Sequence, residues 1–217
     1  MKKLFFFVVI LSFLYSQGVE IGDEDFGGIV FYIDETGQYG LVAAQQDFPS
    51  FYEWGIQGID IDGADGTSIG TGLQNTSDIV NESSNPQFAA NLCFSYFSGG
   101  FDDWFLPSID ELELIYQNIG QGSELGNIGG FESDGYWSST EWGTTGNSAL
   151  LYGFNFGDWG SSGKSNQLKV RAVRAFGDWA FGCIDENACN YDSSAEFGDG
   201  SCFYAQENYN CDGNCIV

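Results

Sequence analysis

Residues 99–118 read GGFDDWFLPSIDELELIYQN, and their second half carries the clearest local signal in the chain. Ser108 and Glu111 form an S-x-x-E capping box, in which each side chain satisfies a backbone N–H at the start of a helix. Ile109, Leu112, Ile115, Tyr116 and Ile119 then recur at helical spacing and make one apolar stripe that ends at Gly120. Pro107 precedes the cap and forces an extended approach, so residues 105–108 predict a strand-to-helix corner. Upstream, GIVFYID (28–34) and YGLVAA (39–44) are β-rich runs joined by four turn-forming residues, which predicts a hairpin. PQFAANLCFSYFS (86–98) predicts a second helix, because proline suits the first helical position and Phe88, Leu92 and Tyr96 recur around Cys93. Downstream, residues 151–156 and 170–176 read as late strands. Two helices, a small antiparallel sheet and long loops rich in Gly and Ser define an α+β class.

Three phrases in fixed order carry a more specific message: the stretch above, GGFESDGYWSSTEW (129–142) and KVRAVRAF (169–176). With GGIVFYIDETGQYGLVAA (27–44) and GADGTSIGTGLQNTSDIV (63–80), they resemble the Lcl C-terminal domain family. That domain, long catalogued as of unknown function, stands at the end of a collagen-like bacterial adhesin and in many secreted bacterial proteins. The resemblance covers residues 27–177 and implies a C-type-lectin-like fold with an extracellular recognition role. It brings no catalytic residues with it. Trp104, Pro107, Ser108, Glu111 and Trp137 lie inside these phrases and are read as structural. Arg171 and Arg174 are read the same way: strand alternation puts one arginine on each apolar face of KVRAVRAF, so at least one is expected to be buried against a carboxylate such as Asp102, Asp103, Glu111 or Glu141.

Residues 1–16 have the build of a secretory signal: Lys2 and Lys3, an apolar run too short to span a bilayer, and small Ser16 before the expected cut. Residues 17–26 are a lead into the 27–177 domain, and 178–217 form a Cys-rich acidic tail. No later segment qualifies as a membrane span, so a secreted or cell-surface location is expected. Without the signal, four basic residues face 31 acidic ones. That balance excludes most electrostatic binding of nucleic acid, which needs a basic footprint.

Five of the six cysteines, Cys183, Cys189, Cys202, Cys211 and Cys215, crowd the last 35 residues, and in an exported chain this reads as a disulfide framework. Either Cys93 reaches the tail or it is buried as a small hydrophobe, and fifteen full pairings stay open. The tail resembles a Cys-rich, Asp/Asn-rich module of exported proteins of marine Bacteroidetes.

The chain contains no histidine, which removes His-dependent nucleophile pairs, His acid–base catalysis and His-based zinc sites. Asp60, Asp62 and Asp65 in DIDGADG, with Glu53 or Asp78 as helpers, form one candidate calcium turn, although the EF-hand register fails. Asp185, Asn187, Asn190, Asp192 and Asp199 in the tail form another. The tripeptides through which animal C-type lectins read sugars by calcium are absent. Glycan or protein contact is instead expected on the loops at 142–147 and 157–166, where Trp142 and Trp159 stand among Asn147, Asp158, Lys164 and Asn166, since an indole flanked by small polar residues makes a stacking platform. The expected role is a non-catalytic secreted or surface adhesion module. The rival expectations are a carboxylate-dependent polysaccharide hydrolase and a purely structural surface protein.

Overall fold

The computed structural model describes residues 18–205 and 208–214. The signal-like segment and Cys215 lie outside the described residues. Strands β1 (Glu24–Asp25), β2 (Gly28–Ile33) and β3 (Gly40–Ala43) build the first antiparallel sheet, which β9 (Val173–Phe176) completes in the order β1-β2-β3-β9. The short β4 (Tyr52–Glu53) pairs with β8 (Gln167–Leu168). Three helices follow β4 in sequence: α1 (Gly72–Glu82), α2 (Ala89–Phe94) and α3 (Ile109–Asn118). A second antiparallel sheet has the order β5-β6-β7, formed by Gly135–Trp142, Ser148–Gly153 and Asp158–Gly163. In the tail β10 (Phe181–Gly182) and β11 (Phe197–Gly198) pair in parallel.

The capping box is present in full. Ser108 Oγ accepts from Glu111 N, and Glu111 Oε2 accepts from Ser108 N at 2.8 Å. Glu111 also reaches outside its helix, because Oε1 accepts from Gly70 N at 2.8 Å and so ties the loop before α1 to the start of α3. The apolar stripe of α3 packs on Phe31, Phe105, Tyr136, Leu150 and Tyr152, which joins the two sheets through one core cluster. Trp54, Trp104 and Trp137 fill a second cluster on the opposite side.

The structure has three helices where two are expected from sequence, because α1 buries Gly72, Gln74, Asn75, Thr76 and Ile79, a face almost without apolar residues. These polar side chains are buried because loop backbone meets them. Asn75 Nδ2 donates to Gly66 O at 2.7 Å, and Thr76 Oγ1 accepts from Leu106 N at 3.0 Å. The segments expected as loops at 142–147 and 157–166 contain the last residue of β5 and the whole of β7.

Two disulfides cross-link the tail, Cys183–Cys202 and Cys189–Cys211, while Cys93 is a free, buried thiol in α2. The tail packs on the main domain. Phe197 is fully buried against Phe105 and Trp179, and Gly198 N donates to Gly70 O at 3.0 Å. No described helix is long and apolar enough to cross a membrane.

Candidate functional site

The β5–β6–β7 sheet presents the largest exposed aromatic groups near the predicted site. Along β5, Glu141 pairs with Ala149 and points inward, so the next residue, Trp142, points outward opposite Ser148. Trp159 of β7 stands opposite Tyr152. The two indoles are 48% and 52% exposed, and they touch, with ring centroids 5.7 Å apart and planes inclined at 54°. Phe156, in the β6–β7 turn, is 66% exposed. An exposed aromatic pair held by two strands of one sheet is a rigid stacking surface with little conformational entropy to lose.

The polar residues predicted beside it divide into two groups. Asn147, Asp158 and Asn166 are exposed. Asp158 Oδ1 accepts from Trp159 N at 2.8 Å, and Asn166 Nδ2 donates to Ser162 Oγ at 2.8 Å. Lys164, expected among the ligand contacts, is fully buried. Its Nζ lies 2.6 Å from Glu141 Oε1, donates to Ile59 O at 2.7 Å and sits 4.5 Å from the centre of the Trp54 ring. The cause is strand alternation at the sheet end: Lys164 follows β7, its N–H donates to Asn147 O and its carbonyl accepts from Trp54 N, which turns the side chain beneath the hairpin.

This buried pair anchors the acidic turn. Glu141 Oε2 accepts from Ile61 N at 2.8 Å, Glu141 N donates to Ala64 O, and Gly58 N donates to Gly146 O. Gly146 has φ of +67°, and a Cβ there would lie 2.3 Å from the Ile59 carbonyl carbon, so glycine is required for the turn to seat. Burial pushes the Glu141 carboxyl above its ordinary pKa, while the Lys164 ammonium opposes that shift.

The two candidate calcium segments meet across one cleft, lined by Asp65, Gln74 and Asn75 on one side and Asp185, Glu186 and Asn187 on the other. Asp78 lies in the same neighbourhood. Its pKa is raised to about 6 by burial and by the charges of Asp185, Asp62 and Asp65, against a hydrogen bond from Gln74. Three carboxylate oxygens there are already engaged: Asp185 Oδ1 accepts from Asn187 N, Asp185 Oδ2 accepts from Tyr204 Oη, and Asp78 Oδ2 accepts from Gln74 Nε2. Asp60 is exposed on the Glu141 side of the turn, and Asp192 holds a turn with Ser194. Among the described residues no three acidic or thiol groups converge closely enough to hold a metal ion.

The residues read as structural are buried: Trp104, Pro107, Ser108, Glu111, Trp137, Arg171 and Arg174. Arg174 pairs with Asp103 through two bonds, Nε to Oδ1 at 2.6 Å and Nη2 to Oδ2 at 2.7 Å. Arg171 pairs with Asp47, which was not among the expected partners, and also donates to the carbonyls of Ala44 and Gly129. Lys169 pairs with Glu132. All four cations of the described chain are therefore buried and paired, and the surface charge comes from acids alone. Glu111, with its pKa raised to about 7 by burial against the opposing N–H groups of Ser108 and Gly70, is enclosed and serves as an anchor between elements.

Three helices, small antiparallel sheets and a disulfide-linked tail define an α+β domain with an aromatic platform on an otherwise acidic surface. The chain belongs to the family described as the Lcl C-terminal domain, whose model matches residues 62–174. No curated protein matches the sequence. The family and the disulfides are consistent with an extracellular location.

Proposed function

We propose that this protein is a non-catalytic, extracellular recognition module that binds glycan or protein through the face carrying Trp142 and Trp159. The observation that carries the reading is the contact between two half-exposed indoles on neighbouring parts of one rigid sheet. Large apolar side chains left in water on an ordered element, flanked by Asn147, Asp158 and Asn166, have the make-up of an interface anchor with adaptable hydrogen-bonding neighbours. Because every described cation is sequestered in an ion pair, the face suits neutral or basic ligands, and it repels sulfated or uronic polysaccharide. Family membership supports the adhesion role. The test is a glycan and peptide array probed with the parent and with Trp142→Ala and Trp159→Ala variants. Saturable binding that both variants weaken while their melting is unchanged supports the reading. Consumption of a bound polysaccharide would instead favour a hydrolase.

A further inference from the structure

β7 is the outermost strand of its sheet, and among the described residues no strand pairs with its outer side. Neighbouring hydrogen bonds fix which of its backbone groups point outward. Phe154 N donates to Asp134 O, which continues the β5–β6 ladder through the even-numbered residues of β6. The odd-numbered Ala149, Leu151 and Gly153 are left to exchange bonds with Ser162, Gly160 and Asp158 of β7. The bond from Lys164 N to Asn147 O extends the same series. Trp159, Ser161 and Gly163 therefore direct their N–H and C=O groups away from β6. Two of these groups are satisfied within the chain: the Trp159 N–H by Asp158 Oδ1, and the Gly163 C=O by Asn166 N at 2.8 Å. The groups left open are the Trp159 C=O, the Ser161 N–H and C=O, and the Gly163 N–H.

This open set distinguishes between strand directions. An incoming antiparallel strand exchanges bond pairs at Trp159, Ser161 and Gly163, and would find two partners already taken. A parallel strand places one residue between the Trp159 C=O and the Ser161 N–H, and the residue two further on between the Ser161 C=O and the Gly163 N–H. Those are the open groups. We propose that β7 docks an extended peptide segment of a partner protein, running parallel to it, with a Lys or Arg between the two hydrogen-bonding residues.

The intervening residue stands beside Ser161, on the face that carries Trp159, where a cation meets an indole ring and an acidic surface free of competing cations. Beyond Asp158 at its start, β7 carries little edge protection, since it contains no Lys, no Pro and no bulge, and Gly160 opens onto empty space. A second copy of this chain is a poor occupant, because twofold antiparallel pairing forfeits two bonds and brings together two strongly acidic surfaces. The cation contact rests on the recognition role of Trp159 proposed above, whereas the backbone pairing does not.

The test uses a fluorescein-labelled, end-capped octapeptide of alternating Thr and Lys, titrated by anisotropy at physiological salt. Two further peptides of equal charge are N-methylated at every Thr or at every Lys, and the protein is compared with Ser161→Pro, a change that an outward N–H tolerates in an edge strand. The proposal expects saturable binding, retained on Lys methylation and weakened by about tenfold or more on Thr methylation and by Ser161→Pro, with unchanged melting. No binding at millimolar peptide overturns it, as does equal binding of all three peptides. If binding ignores Ser161→Pro but is lost in Trp159→Ala, the edge proposal falls and the recognition reading stands. Concentration-dependent dimers abolished by Ser161→Pro would assign the edge to a second copy and overturn the partner peptide.

Discussion

Arg171 and Arg174 show how a charge becomes structural when a buried guanidinium meets a carboxylate and at least one backbone carbonyl. Asp47, the partner of Arg171, is largely buried, whereas Asp103, the partner of Arg174, is half-exposed to screening solvent. Arg171→Ala should therefore cost about 3 to 5 kcal/mol in denaturant unfolding, and Arg174→Ala about 1 to 3 kcal/mol. Equal losses would mean that exposure of the partner does not set the cost. Glu111 provides a pH signature. Its folded pKa of about 7 lies above its ordinary 4.5, so the native state holds a proton that the unfolded chain releases. That contribution is complete below about pH 4.5 and is lost as pH rises through 7. Asp78, raised from 3.8 to about 6, acts with the same sign at slightly lower pH. Melting temperature should therefore fall between pH 5.5 and 8, and Glu111→Gln should flatten that slope while lowering stability overall. A wild-type profile that rises across this range contradicts the assignment.

At the scale of elements, α3 was legible in the sequence because its cap and stripe are local signals that tertiary contacts merely use. The hairpin β2–β3 was legible for the same reason. α1 was not, since Asn75 and Thr76 are weak helix formers and the burial of Gln74, Asn75 and Thr76 depends on Cys202, Gly66 and Leu106, all outside the helix. Thr76→Val keeps the shape and removes the hydroxyl that holds Leu106 N, so it should cost about 1 to 3 kcal/mol by denaturant melting. A neutral change would show that water replaces the bond. β7 was hidden because Asp-Trp-Gly-Ser-Ser-Gly has no apolar alternation, as expected of an edge strand with no buried residue. Trp142 and Trp159 stood out in the sequence as isolated indoles, but their contact depends on a strand pairing that the sequence did not announce. Lys164 went the other way: nothing in SSGKSN indicates that its side chain turns inward.

Across the whole molecule, acidic segments distant in sequence share one cleft, with Asp65 from the domain facing Asp185 from the tail, and their charges add to burial in raising the pKa of Asp78. We propose calcium as the ion that relieves this crowding of charge, held by no more than two of these carboxylates together with amide and backbone oxygens, since no three acidic groups converge among the described residues. Added calcium should raise the melting temperature and chelator should lower it, because a ligand selective for the folded state must stabilise it. If both leave melting unchanged, calcium has no part in the fold. The central claim concerns Trp142 and Trp159, and it is tested most directly by titrating an array-identified ligand into the parent and the Trp142→Ala/Trp159→Ala double variant by calorimetry. The account predicts saturable binding by the parent and a loss of at least about 2 kcal/mol in the double variant, whose unfolding free energy stays within about 0.5 kcal/mol of the parent. Unchanged affinity in a folded double variant would contradict it.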